Sequence, residues 1–357
     1  MKIIVNASRV GNVGGLRSFA EAFIQCFERC REVTALVPSG VRIVTSLPQR
    51  FVPGWLASSG RTSVVRPILW WLYSVVESFR SRDALLVGTT HHVVPFRSRQ
   101  MVTVHDLRPY YFPDTWVQSF YYRRMLPRGL KKCDGVLTVS ETSKQCLVQV
   151  YGLRPERVHV IGNIVDSRYF CPGTAADSGD PYLLGVGASW KHKNMLELLE
   201  MNEYWATRYQ LKIVAANGQY LEEMKRRAAE LGLTERVQFL SGIDRQALRE
   251  LYRGCSALVY PSWMEGFGLP PLEALACGRP VIVSDIALFR EIFQSIPIYV
   301  KLGDRDSWKS SIASIDGIPE SRLQAGIDLA ATFSHEAMKR KLSDALEQAW
   351  KFELPLQ

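Results

Sequence analysis

The chain has 357 residues, of which 47% are hydrophobic and 22% charged. This composition excludes disorder, collagen and coiled coil as the main architecture, and at about 150 residues per domain the length fits two domains. The first 170 residues carry 23 basic and 11 acidic side chains (net +12), whereas the remainder carries 21 and 24 (net −3), so an anionic partner is expected for the first half: nucleic acid, an anionic membrane face or a phosphorylated ligand.

The chain opens with a short apolar strand, Lys2 to Ala7, and a glycine-rich turn, Gly11-Asn12-Val13-Gly14-Gly15. Helical spacing follows from Ser18 to Cys30, with Phe19, Ala22, Phe23, Cys26 and Phe27 on one face. Strand, loop and helix in this order begin a parallel α/β fold. Short apolar runs at Val33–Val37, Ala84–Val87, Met101–Val104 and Gly135–Val139 read as buried parallel strands. Residues 171–181 are small, polar and turn-forming and read as a linker. Beyond it the alternation restarts. Strands are expected at Tyr182–Val186, Leu211–Ala215, Val237–Leu240, Ala257–Tyr260 and Val281–Val283. Helices are expected at Met195–Trp205, Leu221–Leu231, Arg245–Arg253 and Pro270–Cys277. A final helix, His335 to Trp350, aligns Met338, Leu342, Leu346 and Trp350 in one stripe. The expected domains are 1–170 and 182–334, followed by a terminal helix, 335–357, packing toward the first domain. Two doubly wound units imply a cleft, with chemistry in loops that follow strands.

The most informative segment runs from Tyr260 to Pro280. Glu265 ends a strand-to-loop passage, and Gly266 and Gly268 let backbone approach a ligand closely. Pro270 and Pro271 suit the first turn of a helix. Glu273 falls within that helix, and Gly278 ends it. The helix start offers N–H groups and partial positive charge, a site suited to a diphosphate. A carboxylate on each side can accept hydrogen bonds from sugar hydroxyls.

These residues, E-G-F-G-L-P-x-x-E followed by A-x-G-x-P-V-I-x-S, resemble the glutamate motif of retaining GT-B glycosyltransferases of family 4. Further segments match in order and spacing. Gly14-Gly15 resembles the family's glycine loop, and Thr103-Val104-His105-Asp106-Leu107 with Pro109 resembles a segment of bacterial mannosyltransferase-like members. Thr138 to Ser143, Asn163 to Asp166, and Gly185 to Asn194 resemble three more. The resemblance implies an α/β fold of GT-B type: two Rossmann-like doubly wound domains facing across a cleft, the first for acceptor and the second for a nucleotide-sugar donor. It assigns the donor ribose to Glu273, the transferred sugar's hydroxyls to Glu265 and the diphosphate to Lys193. The amides of Gly266, Phe267, Gly268 and Leu269 would cradle phosphate and sugar, Gly14 and Gly15 would close on the phosphate side, and His105 would lie beside the reacting face. Gly242 follows the strand whose end bears on nucleobase choice. An arginine common in the family after the strand glycine is missing from Gly187-Ala188-Ser189-Trp190, and Lys191 is the candidate replacement. The implied enzyme is a retaining, metal-independent hexosyltransferase with no cofactor, using a nucleotide-sugar, with GDP-mannose favoured over UDP- or dTDP-sugars. Its acceptor would be a glycan or a lipid-linked oligosaccharide of bacterial surface polysaccharide biosynthesis, lipopolysaccharide included. Two other readings stand beside it: a nucleotide-sugar 2-epimerase of the same fold, and a non-catalytic nucleotide-sugar or glycan-binding module.

Competing signals are weaker. Asp304-Arg305-Asp306 matches a D-x-D metal motif, but Asp306 reads better as the cap of a helix from Ser307 to Ile315. Seven scattered cysteines form no C-x-x-C pair and read as free thiols. His91-His92 follows a strand and reads as loop or cleft lining. Trp70, Trp71, Leu72, Tyr73, Val75, Val76 and Phe79 lie among arginines and read as a core helix or one at a membrane surface. Arg123, Arg124, Arg128, Lys131 and Lys132 read as a solvated face that would also favour anionic lipid. No nucleic-acid module is recognisable, so nucleic acid is not an expected partner. No apolar run reaches the ~18 residues that span a bilayer, and the first residues turn polar too early for a secretory signal. The expected location is the cytoplasm, with peripheral contact at the inner face of the membrane.

Overall fold

The computed structural model describes residues 2–11, 15–54, 66–97, 99–174 and 179–355. The chain divides into two units, Met1–Ile164 with His335–Gln357, and Val165–Ser334. The first holds a seven-stranded sheet: β1 (Ile3–Asn6), β2 (Val33–Pro38), β3 (Gln49–Val52), β4 (Leu85–Gly88), β5 (Gln100–Thr103), β6 (Gly135–Thr138) and β7 (Val158–Val160), in the order β3-β2-β1-β4-β5-β6-β7. The second holds six strands: β8 (Tyr182–Val186), β9 (Gln210–Val214), β10 (Val237–Leu240), β11 (Ala257–Tyr260), β12 (Val281–Ser284) and β13 (Ile298–Val300), in the order β10-β9-β8-β11-β12-β13. Neighbouring strands pair in parallel throughout.

Strand order reverses between β1 and β4 in the first sheet and between β8 and β11 in the second. In such sheets the crevice at the strands' carboxyl ends is where ligands bind. The strands beside each reversal are buried on both faces, which explains their continuous apolar runs. Phe19, Phe23 and Phe27 form a ladder with ring centroids 5.6 and 5.7 Å apart. In the second unit Trp205 and Trp308 are completely buried in a core with Leu183, Leu211, Ile213, Val259 and Ile282.

Several boundaries differ from expectation. The first helix spans Gly15–Gln25, and residues 26–30 leave it through tighter i to i+3 turns. The expected 195–205 helix divides into Met195–Glu200 and Asn202–Trp205 at Met201. The first domain ends at residue 164 and not 170, because Tyr169 and Phe170 pack in the second unit: Arg245 lies 4.1 Å over the Tyr169 ring, and Phe170 meets Tyr252 edge-on at 5.7 Å. Cys171, expected to open the linker, accepts a hydrogen bond on its carbonyl from Arg253 (2.9 Å). The helix cap expected at Asp306 is Asp304, whose carboxylate accepts from the Ser307 amide as the helix Arg305–Ala313 begins. The helix His335–Trp350 belongs to the first unit, where His335 Nε2 lies 3.6 Å from Cys26 Sγ and the Trp350 indole donates to Asp134.

The helix Arg66–Arg80 turns Trp70 into a cluster with Ile4, Leu36, Val52 and Leu86. It leaves Trp71, Leu72, Val76 and Phe79 exposed and buries Ser74 and Glu77, the latter paired with Arg50. The core reading thus holds for one face of this helix, and the other face is exposed. Among the described residues no helix is long and apolar enough to cross a membrane.

Candidate active site

In the second unit, the loops leaving β8 and β11 emerge side by side at the reversal of strand order. The β8 loop passes Gly187 (φ +73°) and enters a short 3-10 turn, Lys191–Lys193. The β11 loop runs from Tyr260 to Gly268 and enters the helix Leu269–Ala276. A hydrogen bond from the Trp263 amide to the His192 carbonyl (2.8 Å) ties the two loops together.

Across that tie, the Lys193 ammonium donates to Glu265 Oε1 (2.6 Å) and to the Tyr260 hydroxyl oxygen (2.5 Å), and it lies 4.8 Å over the Tyr260 ring. The Lys193 and Glu265 side chains are only 13% and 11% exposed. Burial disfavours an ionised Glu265, but Lys193, His192 and Ser262 outweigh it and hold the carboxyl below the usual carboxylate range. The same burial, with Glu265 beside it, pushes the Tyr260 phenol well up. Ionised carboxylate, cation and neutral phenol form one compact polar group.

Gly268, where the loop enters the helix, is required by geometry. Gly268 has φ +102°, and a Cβ there would meet the Phe289 and Phe293 rings at 3.1 Å. The Phe267 side chain turns into the core, edge-on to Phe333 at 5.3 Å. The backbone of this turn therefore carries its chemistry. A first helical turn leaves its amides without intrahelical acceptors, which places those of Gly268 and Leu269 at the start of an eight-residue helix beside Lys193 and Glu265.

Glu273, one turn further on, has a different environment. It accepts a hydrogen bond from the Tyr252 hydroxyl (2.7 Å). Burial raises its pKa to about 7, with Tyr252 and Arg245 pulling only partly the other way. The two glutamates, alike in sequence, are thus shifted in opposite directions.

The sequence-predicted residues Lys193, Glu265, Gly266, Phe267, Gly268, Leu269 and Glu273 are brought together. Lys191 is not: its ammonium pairs with Glu223 (3.0 Å) and its side chain is largely exposed. Gly242 (φ +67°) follows β10, the edge strand, on the same carboxyl edge of the sheet. Gly14 lies outside the described residues, and Gly15 is exposed at the start of the first helix, in the first unit. His105 is also in the first unit. Its Nε2 lies 3.0 Å from the Thr89 carbonyl and its ring meets Phe19 edge-on at 4.5 Å. Burial depresses its pKa against the Thr89 carbonyl and Asp106.

Sequence reasoning missed Tyr260 and Tyr252, which hold the two ends of the site. Tyr260 ends β11, and position alone could have flagged it. It also underread His91-His92. Their rings stack at 4.2 Å, Tyr122 OH is 3.2 Å from a His91 ring nitrogen, and Tyr121 stands at 5.8 Å, all beside the β1/β4 reversal of the first unit. Burial, with Arg9 and His105 adding to it, depresses the His91 pKa to about 3. Among the described residues no group of three or more His, Cys, Asp or Glu is arranged to hold a metal ion.

Residues 172–322 match the model of glycosyl transferases group 1, and residues 25–169 match that of glycosyltransferase family 4. An O-antigen chain mannosyltransferase, RfbU, of Salmonella typhimurium is 34% identical over 364 residues, spanning 97% of this chain and all of the relative. O-antigen chain mannosyltransferase B of Escherichia coli is 25% identical over 71% of this chain and 72% of its own length. A sucrose-phosphate synthase structure from Thermosynechococcus elongatus superposes with a TM-score of 0.80 over 98% of this chain and 99% of its own, at 18% identity. That likeness concerns the fold alone, two doubly wound parallel units of GT-B type.

Proposed function

The chain belongs to the family 4 glycosyltransferases, and on that premise we propose that it transfers mannose from GDP-mannose to a glycan or lipid-linked oligosaccharide in bacterial surface polysaccharide assembly. The observation that carries the site assignment is the Lys193–Glu265–Tyr260 group at the strand reversal, beside the start of the Leu269–Ala276 helix. The choice of mannose and of this acceptor class rests on the two O-antigen chain mannosyltransferases among the relatives.

In the proposed reaction the bond between the sugar C1 and the β-phosphate oxygen breaks, and a bond from C1 to the acceptor oxygen forms on the same face. The acceptor's hydroxyl proton passes to a leaving phosphate oxygen, and GDP departs. Negative charge grows on the diphosphate as the bond lengthens. Lys193 and the amides of Gly268 and Leu269 are fixed donors suited to that charge, which is how preorganised electrostatics lowers a barrier. Glu265, ionised, accepts hydrogen bonds from sugar hydroxyls. Glu273 takes the ribose hydroxyls. The proposed step draws on these donors and invokes no metal ion, and no carboxylate nucleophile is required, unlike in paired-carboxylate hydrolases.

The first unit is proposed to rest on anionic lipid. Of the sixteen large apolar side chains exposed among the described residues, fourteen lie in this unit. They include Trp71, Leu72, Val76 and Phe79 on one helix, and Tyr111, Phe112, Trp116, Val117, Phe120 and Met125 in the segment that also carries the exposed Arg124 and Arg128. Aromatic and basic residues together suit a lipid headgroup layer.

The test is a thermal-shift panel followed by transfer. Ligands that bind the native state raise its melting temperature, so GDP and GDP-mannose should shift it more than UDP, dTDP or their sugars. Label from GDP-mannose should then enter a lipid-extractable glycan with EDTA present, with the donor's anomeric configuration. Conversion of GDP-mannose without acceptor would favour the epimerase, and binding without turnover the binding module.

A further inference from the structure

The second unit covers its apolar surface closely, with two exceptions. Among its described residues the exposed large apolar side chains are Trp190 and Trp263, at 48% and 46%. Both stand on the loops that build the site. Trp190 immediately precedes the Lys191–Lys193 turn, and Trp263 lies two residues before Glu265. The hydrogen bond from the Trp263 amide to the His192 carbonyl holds these loops together, and His192 itself is buried. The indoles are therefore carried by an anchored frame.

Keeping two indoles about half exposed forgoes part of the burial that stabilises the rest of this unit, and exposed aromatic surface beside a site is surface that a ligand can cover. The position defines the ligand. Glu273 and Tyr252 mark the proposed ribose end, and Trp190 and Trp263 stand on the loop segments that carry Lys193 and Glu265. The polar groups there already serve phosphate and hydroxyls. Lys191, the loop's other lysine, is turned to Glu223. The β8 loop thus brings one lysine to Glu265 and offers an exposed indole. A pyranose ring has hydroxyls around its rim and a C–H face that water solvates poorly. An indole, broad, rigid and apolar with one polar edge, complements that face.

We propose that Trp190 and Trp263 form an aromatic platform that binds the C–H face of a pyranose ring at the sugar end of the site. The ring belongs either to the donor hexose or to the acceptor, and the inference rests on the donor-site reading above. The platform selects for an unsubstituted ring face, while Glu265 reads the hydroxyls.

Calorimetric titration of the full chain tests this with three probes: GDP, GDP-mannose and octyl α-D-mannopyranoside. Trp190→Ala and Trp263→Ala should leave the GDP affinity within twofold. They should weaken GDP-mannose at least fivefold if the platform holds the donor ring, or the octyl mannoside at least fivefold if it holds the acceptor ring. Trp190→Phe and Trp263→Phe should recover most of the loss, which a merely structural role would not require. Equal weakening of GDP and GDP-mannose would assign the indoles to the nucleobase or the frame, and unchanged affinity for both sugars would leave the platform without a ligand; either result overturns the proposal. If the wild-type chain bound no nucleoside diphosphate, the donor-site reading would fail on its own, and the octyl mannoside titration would still decide the platform.

Discussion

Lys193 lies 2.6 Å from Glu265, closing a bridge between two loops that leave adjacent parallel strands at the point where strand order reverses. The pair balances charge before any substrate arrives. In the proposed reaction an entering diphosphate would compete for the ammonium, and an entering sugar for the carboxylate. Glu265→Gln keeps shape and removes charge. It should lower kcat at least a hundredfold while GDP affinity changes less than threefold, read by steady-state kinetics and calorimetry. Lys193→Met should do the reverse in part, weakening GDP more than tenfold. Full turnover in both variants would remove the site assignment.

Glu273 supplies a pH signature. Its pKa in the folded chain is about 7, above the ordinary carboxyl value of 4.5, so between those values the native state binds more protons than the unfolded one. Its contribution to stability is fully present below about pH 4.5 and is lost as pH rises through 7. The ligand-free melting temperature of Glu273→Gln should therefore fall less between pH 5 and 8 than that of the wild type. Ribose hydroxyls donating to the ionised form would make GDP binding tighten as pH rises from 6 to 8, with proton release on binding near pH 6.5. Glu273→Ala should weaken GDP by about 1–3 kcal/mol, the cost of losing hydrogen bonds to a charged group.

What the sequence disclosed follows from burial. Strands buried on both faces wrote continuous apolar runs, and the boundaries of β8 matched those runs. The strands missed were β3, β7 and β13, each at the edge of its sheet. In β3 and β7 the polar residues Gln49, Arg50 and His159 break the run, and β13 is only three residues long. The site was legible where its chemistry is local in sequence, from Glu265 to Glu273. It was not legible where partners come from elsewhere. Nothing near Glu273 names Tyr252, and nothing near Lys191 names Glu223. The opposite pKa shifts of the two glutamates are likewise set by the fold, through burial at Glu273 and through Lys193 at Glu265.

Gly268 tests whether the turn geometry matters apart from the charges. Gly268→Ala forces an L-residue to φ +102° and pushes its methyl against Phe289 and Phe293. Conformations of this kind cost about 1–3 kcal/mol. The variant should melt several degrees lower and bind GDP more weakly, because the amides of residues 268 and 269 move with the backbone. Gly266→Ala, at a position without left-handed φ, should lose less stability. Equal melting temperatures for Gly268→Ala and the wild type would show that the turn relaxes freely.

The proposed lipid contact of the first unit predicts a particular pattern of dependence. Sedimentation with phosphatidylglycerol-containing vesicles should retain the chain, and pure phosphatidylcholine vesicles should not. The bound fraction should fall between 50 and 500 mM salt, because surface charges are screened over about 10 Å at 0.1 M. Trp116→Ser with Phe120→Ser should weaken retention with no change in melting temperature, since both side chains are exposed in the free protein. Arg124→Ser with Arg128→Ser should weaken retention at low salt and matter little at high salt. The two pairs separate apolar insertion from charge: retention that responded to the arginines alone would reduce the contact to electrostatic adsorption, and retention indifferent to all four would place the exposed aromatic surface in another role.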